Sequence, residues 1–210
     1  FFSEVIRGIS TKAHQNGYSL YMTTGVSEEE VYEGVVSMVQ GRRVDGVVVL
    51  YSRTDDKVVQ FLQDSKFPFV VVGKPFSDSS HVTYVDTDNY LAGREVTKYL
   101  HQLGHECIAF VGGSQYLAVT QERVGGYKTA LMEEGLPINE SYIVSAPFMT
   151  TGGADAVKRL MSLEHPPTAV VVSDDMMALG VMSTLNEMEI SVPDQMAVVS
   201  FNNLFIAEFS

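Results

Sequence analysis

Two adjacent carboxylates follow an apolar strand pattern in the second half of the chain. The run from Thr168 to Ser173 leads without a linker into Asp174 and Asp175, where a helical pattern begins and continues to Gly180 and beyond. In a parallel α/β sheet, ligands bind at the carboxyl ends of strands, where helix N-termini present unpaired N–H groups. One carboxylate can cap the helix, and the other can accept hydrogen bonds from a ligand rich in hydroxyl groups. The alternative, that both carboxylates only cap and solvate the helix start, is equally open at this point.

The sequence contains no complete catalytic motif. The sequence has no Gly-x-x-x-x-Gly-Lys phosphate loop, no Gly-x-Ser-x-Gly elbow and no His-Glu-x-x-His pair. Its five histidines are scattered without metal-ligand spacing. The adjacent pairs Asp55-Asp56 and Asp174-Asp175 are not two carboxylates converging across a gap, which acid–base catalysis requires. We therefore predict a binding protein and not an enzyme, with no metal and no cofactor.

The chain is strongly acidic. Its formal net charge is −12 at pH 7, and no cluster of lysine and arginine relieves this locally. Such a surface repels phosphate backbones and anionic membranes, so these residues are not a nucleic-acid-binding module. The single cysteine, Cys107, excludes an internal disulfide and fits a reducing compartment. The strongest apolar run, from Val44 to Leu50, is interrupted by Asp45 and is too short to span a bilayer.

Short runs rich in valine and isoleucine alternate with helical patterns along the chain. Strands are expected over residues 18–23, 47–51, 69–73, 82–85, 108–111, 142–145, 168–173 and 196–201. Continuous apolar strands that alternate with amphipathic helices are typical of a parallel sheet covered on both faces. The predicted fold class is therefore α/β, with doubly wound parallel sheets.

The plan of the first half of the chain returns in the second half. A strand, a helix, a proline and a second strand occur between Val44 and Val72, and again between Pro167 and Val199. We therefore expect two similar lobes, at residues 1–100 and 101–210, each of a common domain size. Because a doubly wound lobe normally opens with a strand, and the chain opens with a helical pattern, we also expect truncation at both ends.

Eight passages, in order, resemble the effector-binding core of the LacI/GalR family of bacterial transcription repressors. These passages are 1–9, 17–20, 44–49, 86–93, 103–113, 123–127, 173–180 and 199–203. Together they extend the resemblance over essentially the whole chain. Within the family, Ser200 to Ile206 is most similar to maltose-operon repressors. Periplasmic sugar-binding proteins share the two-lobed fold and some of the same motifs.

The resemblance implies a ligand site in a cleft between the two lobes. It assigns Asp88, at a strand-to-helix junction of the first lobe, to accept sugar hydroxyl groups, although an N-cap role explains this aspartate equally well. It assigns Arg123, on the first helix of the second lobe, to donate a bidentate fork to a diol. Without the resemblance, a solvated arginine paired with Glu122 or Tyr127 would be the ordinary interpretation.

Three further polar residues follow from the resemblance. Asp174 stands where asparagine is commoner in the family, and Asn202 stands where many members have aspartate. The two groups are thus exchanged, which keeps one carboxylate facing the sugar. Asp175 is assigned to capping the helix.

Three aromatic residues are candidates for stacking on a pyranose ring. These are Phe1, Phe2 and Tyr51, which occur near expected strand ends. Aromatic residues at such positions belong to the core about as often.

The implied function is that of a sugar sensor in a dimeric bacterial repressor. A maltose-type sugar would bind between the lobes, favour one arrangement of them and so change operator affinity. Operator DNA would be bound through a headpiece absent from this sequence, in a cytoplasmic homodimer without membrane association. The alternative is a periplasmic sugar receptor of a transporter, and a sugar- or nucleotide-directed enzyme ranks last.

Overall fold

The structure is a computed structural model that describes residues 2–76 and 81–203. The helices are α1 (Phe2–Gln15), α2 (Glu28–Gln40), α3 (Lys57–Asp64), α4 (Asn89–Gln102), α5 (Ala118–Glu133), α6 (Thr150–Met161) and α7 (Asp175–Glu187). The strands are β1 (Val47–Val49), β2 (Phe69–Val72), β3 (Thr83–Val85), β4 (Ile108–Gly112), β5 (Ile143–Ser145), β6 (Ala169–Val172) and β7 (Ala197–Ser200). The chain divides into two compact units, Phe1–Asp86 and Thr87–Ser210.

The first unit is built on a three-stranded parallel sheet in the order β1-β2-β3. Helices α2 and α3 supply most of its core, which consists of Val35, Met38, Val49, Val58, Val59, Leu62, Val71 and Val82. In β1, Val48 is 45% exposed, whereas the next residue, Val49, is buried, so the two sides of this strand differ strongly in burial. Helix α1 has no buried residue.

The second unit contains a four-stranded parallel sheet in the order β5-β4-β6-β7. Successive residues of β4 and β6 point to opposite faces, and both strands are buried throughout. Helices α4 and α5 pack on the face that carries Ile108, Phe110, Ala169 and Val171. Helices α6 and α7 pack on the opposite face, against Ala109, Val111, Val170 and Val172. The predicted α/β class with parallel sheets is confirmed.

Glycines allow the helices on each face to approach closely. A Cβ atom on Gly93 of α4 would collide with the backbone carbonyl of Arg123 in α5. A Cβ atom on Gly126 of α5 would collide with the carbonyl of Tyr90. On the other face, a Cβ atom on Gly153 of α6 would meet the backbone of α7. The backbone contact between α4 and α5 fixes α4 to the second unit.

Two expectations from the sequence differ from the structure. The units divide between Asp86 and Thr87, upstream of the seam expected after residue 100, because α4 packs on α5. Residues 18–23, expected to form a strand, have irregular backbone, and Tyr18 and Tyr21 are 60% and 61% exposed. A segment of alternating apolar residues forms a strand only where a neighbouring strand pairs with its backbone N–H and C=O groups.

Candidate functional site

The four-stranded sheet has a topological switch point between β4 and β6. From β4 the chain passes to β5 on one side, and it then returns to β6 on the other side of β4. In open α/β sheets, ligands bind outside the carboxyl ends of the strands at this point. Gly112 ends β4, and Ser173 directly follows β6, so these residues mark the place where a site is expected.

Arg123 of α5 is held at this switch point as a buried side chain. It is only 9% exposed. Its Nε donates a hydrogen bond to Oδ1 of Asn89 at 2.9 Å, and its Nη1 donates to the carbonyl oxygen of Ser173 at 2.7 Å. The ordinary interpretation of a solvated arginine is therefore wrong for this residue. A guanidinium fixed by two neighbours in different elements presents its charge in one orientation.

A ring also packs against Arg123. The carbon at the centre of the guanidinium lies 4.1 Å from the centroid of the Phe201 ring. Phe201 directly follows β7, so Arg123 contacts α4, the end of β6 and the end of β7. A planar guanidinium suits such a stacked position better than an ammonium group does.

Asp174 is the N-cap of α7, and it also contacts Asn202. One carboxylate oxygen, Oδ1, accepts the backbone N–H of Met176 at 2.8 Å. The other, Oδ2, accepts a hydrogen bond from Nδ2 of Asn202 at 3.2 Å. The structure thus brings together the two residues in which the sequence predicted an exchange of carboxylate and amide. In this pair, Asn202 donates through Nδ2, and its side-chain oxygen is a second hydrogen-bond acceptor beside the Asp174 carboxylate.

Asp175 does not have the predicted role in capping. It is 1% exposed, and its Oδ1 accepts a hydrogen bond from the Ser200 hydroxyl at 2.6 Å. The capping bond is made by Asp174 instead. Asp174 has the extended backbone geometry of an N-cap residue and directly precedes Asp175, the first residue of the helix. Adjacent carboxylates at a helix start point in different directions, and here the second one turns toward β7.

Asp88 is the N-cap of α4. Its Oδ1 accepts the backbone N–H of Leu91 at 2.8 Å. The capping interpretation that the sequence left open is therefore observed, and the predicted contact with sugar hydroxyl groups stays a prediction. The neighbouring Asn89, which is 2% exposed, is the residue of this pair that hydrogen-bonds Arg123.

Several residues at this edge were not predicted from the sequence. Asn89 supports Arg123, and Phe201 stacks on it. Phe148 follows β5 and is 38% exposed, and a Cβ atom on Gly113 would collide with its ring. The sequence signal that could have predicted this ring is a glycine directly after one strand, Gly113, combined with an aromatic residue after the neighbouring strand, Phe148. The ring is therefore a partly exposed apolar surface at the end of the sheet.

Two buried hydroxyl groups flank Gly112. Among the described residues, Oγ1 of Thr120 and Oγ of Ser173 are buried without a hydrogen-bond partner. A Cβ atom on Gly112 would lie 3.3 Å from Oγ of Ser173 and 3.4 Å from Cγ2 of Thr120. The protein itself therefore leaves hydrogen-bonding capacity unused directly beside the switch point.

Tyr51, the predicted aromatic residue in the first unit, follows β1 and is half-buried. Burial of the phenol and the nearby charge of Asp56 raise its pKa above the ordinary value. It lines a shallow depression with Asp56 and Arg53, and Arg53 pairs with Glu28 at 2.6 Å. The surroundings of Tyr51 are therefore mainly charged.

The other two predicted aromatic residues stand at the start of the chain. Phe2 lies in α1 and is 50% exposed, whereas Phe1 lies outside the described residues. Phe2 and Tyr51 belong to the first unit, while Asp88, Arg123, Asp174 and Asn202 belong to the second. Of the predicted site residues, Arg123, Asp174 and Asn202 occupy the same carboxyl edge of one sheet.

Neither a metal centre nor a membrane span occurs in the part of the chain that the structure describes. No group of three or more His, Cys, Asp and Glu side chains within residues 2–76 and 81–203 could hold a metal ion. None of the helices in the same two ranges has the length and apolar character needed to cross a bilayer.

The chain belongs to the family described as periplasmic binding proteins and sugar-binding domains of the LacI family. The family profile matches residues 1–208. The parallel α/β sheets and the candidate site at a strand switch point agree with this membership. The LacI-type resemblance inferred from the eight sequence passages is confirmed.

Similar proteins are transcriptional regulators. The MalR transcriptional regulator of Streptococcus pneumoniae serotype 4 is 36% identical over 205 residues, which are 97% of this chain and 61% of that protein. The PurR repressor of Vibrio campbellii is 33% identical over 212 residues, covering 100% of this chain and 63% of that protein. The chain thus spans less than two thirds of the length of these curated relatives.

Solved structures give the same family. A candidate LacI transcriptional regulator from Bacillus cereus subsp. cytotoxis has a TM-score of 0.97 and 48% identity, over 99% of this chain and 74% of that one. The regulator CelR, solved as a cellobiose complex, has a TM-score of 0.92 and 30% identity, over 100% of this chain and 64% of that one. These relatives are thus named as transcriptional regulators, and the non-enzymatic function of this chain stays a prediction.

Proposed function

We propose that the chain is the effector-sensing core of a bacterial transcription repressor and that its effector is a neutral sugar of the maltose type. The observation that carries this proposal is the buried Arg123, hydrogen-bonded to the carbonyl oxygen of Ser173 at the same carboxyl edge of the four-stranded sheet where Asp174 pairs with Asn202. We assign Arg123, Asp174, Asn202 and Asp88 to hydrogen-bonding the effector. Phe1, Phe2 and Tyr51 stay predictions as stacking residues.

The chemistry at this edge favours a ligand with many hydroxyl groups. Arg123 is a donor only, the Asp174 carboxylate is an acceptor only, and the Asn202 amide has both capacities. A hydroxyl group can both donate and accept, so a polyol can satisfy all three groups at once. The aromatic face of Phe148, near Gly113, offers an apolar surface of the kind that packs on the C–H face of a sugar ring.

The carboxylates argue for a neutral effector. Asp174, Asp175 and Asp88 together outnumber the positive charge of Arg123 at this end of the sheet, and the whole chain carries a formal charge of −12. A phosphorylated sugar would meet like charges there. The similarity to MalR and to a regulator solved with cellobiose supports a disaccharide, while the similarity to PurR makes a purine base the ligand to test against it.

Isothermal titration calorimetry of the purified chain tests the proposal. The ligands are maltose, maltotriose, glucose, ribose and a purine base. We expect saturable binding of maltose or maltotriose, with at least tenfold weaker binding in Arg123→Lys, because lysine keeps the charge and loses the planar fork. The matched control is Arg159→Ala, which removes an exposed arginine of α6 and should leave the affinity unchanged. Binding of the purine base alone would overturn the sugar assignment.

The remaining parts of the proposal concern the whole protein. We infer that it acts in the cytoplasm as a homodimer, and that effector binding changes operator affinity by a coupling of about 1–3 kcal/mol. Operator DNA would be contacted by a headpiece outside this acidic chain. The alternative is a periplasmic sugar receptor of a transporter. Gel-shift titration of the full-length protein with operator DNA, with and without maltose, distinguishes the two, because a receptor would bind no operator.

A further inference from the structure

A second hydrogen bond connects the end of β7 to the start of α7, beneath the pair formed by Asp174 and Asn202. Ser200 is the last residue of β7, and its hydroxyl donates to Oδ1 of Asp175, the first residue of α7, at 2.6 Å. This distance is within the short range that is typical of a hydroxyl bound to a carboxylate. Asp175 is 1% exposed, so the contact lies under the surface of the site.

Asn202 lies two residues after Ser200, in a segment with unusual backbone angles. Asn202 and Asn203 have φ values of +90° and +50°, a region that most residues avoid, and both side chains are exposed. The side chain of Asn202 donates to Oδ2 of Asp174 at 3.2 Å, near the upper limit for such a bond. Phe201 is held by its stacking on Arg123, whereas the exposed side chain of Asn202 is oriented by this long hydrogen bond, so its position is sensitive to the backbone on either side.

We propose that Ser200 and Asp175 are positioning residues, which hold the turn after β7 so that Asn202 and Asp174 present their polar atoms to the effector together. This inference rests on the proposed function. The buried carboxylate of Asp175 anchors Ser200, and Ser200 is only two residues from Asn202 along the chain. Rotation of the turn would move the Asn202 amide away from Asp174. The effector would then meet one oriented group instead of two, which weakens binding without removing any group that contacts the ligand.

Calorimetric titration with maltose, or with whichever sugar the wild-type chain binds, tests the effect on affinity. Ser200→Ala removes the hydroxyl, and we expect affinity to fall about fivefold. Ser200→Thr keeps a hydroxyl and should retain most of the affinity. The matched control is Ser183→Ala, which removes an exposed serine hydroxyl that lies 3.5 Å from a carboxylate oxygen of Glu187 on the same helix, α7. It should leave the affinity unchanged.

A double-mutant cycle separates positioning from a general loss of stability. If Ser200 acts through Asn202, adding Ser200→Ala to Asn202→Ala should cause no further loss of affinity. The proposal would be overturned if the affinity losses of the two single variants multiply in the double variant, or if Ser200→Ala alone leaves the affinity unchanged. The midpoint of thermal unfolding, measured for each variant, shows whether the chain remains folded at the titration temperature.

A measurement without ligand makes this inference testable even if the proposed function fails. The side-chain amide resonances of Asn202 can be observed by NMR with selectively ¹⁵N-labelled asparagine and assigned by their absence in Asn202→Ala. We expect these resonances to shift in Ser200→Ala and to return toward the wild-type position in Ser200→Thr. Wild-type protein that binds no sugar would overturn the proposed function alone, whereas unshifted Asn202 resonances in Ser200→Ala would overturn the positioning role.

Discussion

The guanidinium of Arg123 stacks on the Phe201 ring, with 4.1 Å between its central carbon and the ring centroid. The same side chain donates hydrogen bonds to Asn89 and to the backbone of Ser173. Arg123 therefore connects α4, the end of β6 and the residue that follows β7. A single cation fixes the elements that surround the candidate site, so its contribution to stability and its contribution to binding have to be measured separately.

Arg123→Ala is expected to lower the free energy of unfolding by about 2–4 kcal/mol, because Asn89 and the Ser173 carbonyl each lose a charged donor in a buried environment. Urea unfolding followed by circular dichroism measures this change. The control is Arg7→Ala in α1, where the arginine is exposed and pairs with the carboxylate of Glu4 on the same helix. Its change should be much smaller than that of Arg123→Ala, because solvent screens an exposed ion pair. Equal losses in the two variants would contradict the structural role of Arg123.

Two adjacent glycines of α5 should respond differently to replacement by alanine. In Gly126→Ala the new methyl group would collide with the backbone of Tyr90, and we expect a loss of about 1–3 kcal/mol. In Gly125→Ala the methyl group would lie 3.4 Å from the Tyr90 ring, which can move slightly, and higher helix propensity offsets any cost. Thermal unfolding of both variants measures the difference. If Gly126→Ala is as stable as Gly125→Ala, α4 and α5 do not pack at the distance described.

Two variants of Asp88 can distinguish its role as an N-cap from a role in ligand binding. Asp88→Ala removes the acceptor for the Leu91 N–H and should cost about 1 kcal/mol of stability. Asp88→Asn keeps an N-cap acceptor and should be nearly as stable as the wild type. If Asp88 also binds the sugar through its charge, Asp88→Asn will lower affinity in a titration while stability is preserved. Unchanged affinity in this variant would restrict Asp88 to capping.

The pH dependence of stability should show the burial of Asp56. Removal of this carboxyl from water raises its pKa above the ordinary value of 3.8, against the effect of the Val58 and Val59 N–H groups that it caps. A carboxyl with a raised pKa binds its proton more tightly when folded. That stabilisation is complete below the unfolded-state pKa and is lost as the pH rises through the folded-state pKa.

Asp56→Asn should therefore differ from the wild type in pH dependence. As the pH is lowered from 7 toward 4, the wild type should gain stability relative to Asp56→Asn, by on the order of 1 kcal/mol or less given the partial exposure of this group. Urea unfolding of both proteins at several pH values measures the difference between them. A difference that stays constant with pH, or that changes in favour of the variant on acidification, would contradict this expectation.

The sequence predicted the elements of the second unit well because their patterns are strong. The run that forms β6 is continuously apolar, which indicates a strand buried on both faces, and the structure places it in the centre of the sheet. The junction at Asp174 was correctly identified as a strand end followed by a helix. The strand expected at residues 18–23 is not formed. The alternating pattern could not reveal this, because it carries no information on whether a neighbouring strand is available for pairing.

Residue types and their order along the chain determined the α/β class, the family and the candidate groups Arg123, Asp174 and Asn202. Tertiary structure alone decided which carboxylate caps α7, which one turns inward to Ser200, and that Arg123 is buried between Asn89 and Ser173. The physical reason is that local sequence sets backbone periodicity and hydrogen-bonding capacity. The direction of a side chain and the partner that it meets depend on elements far away in the chain, such as α4 for Arg123 and β7 for Asp175.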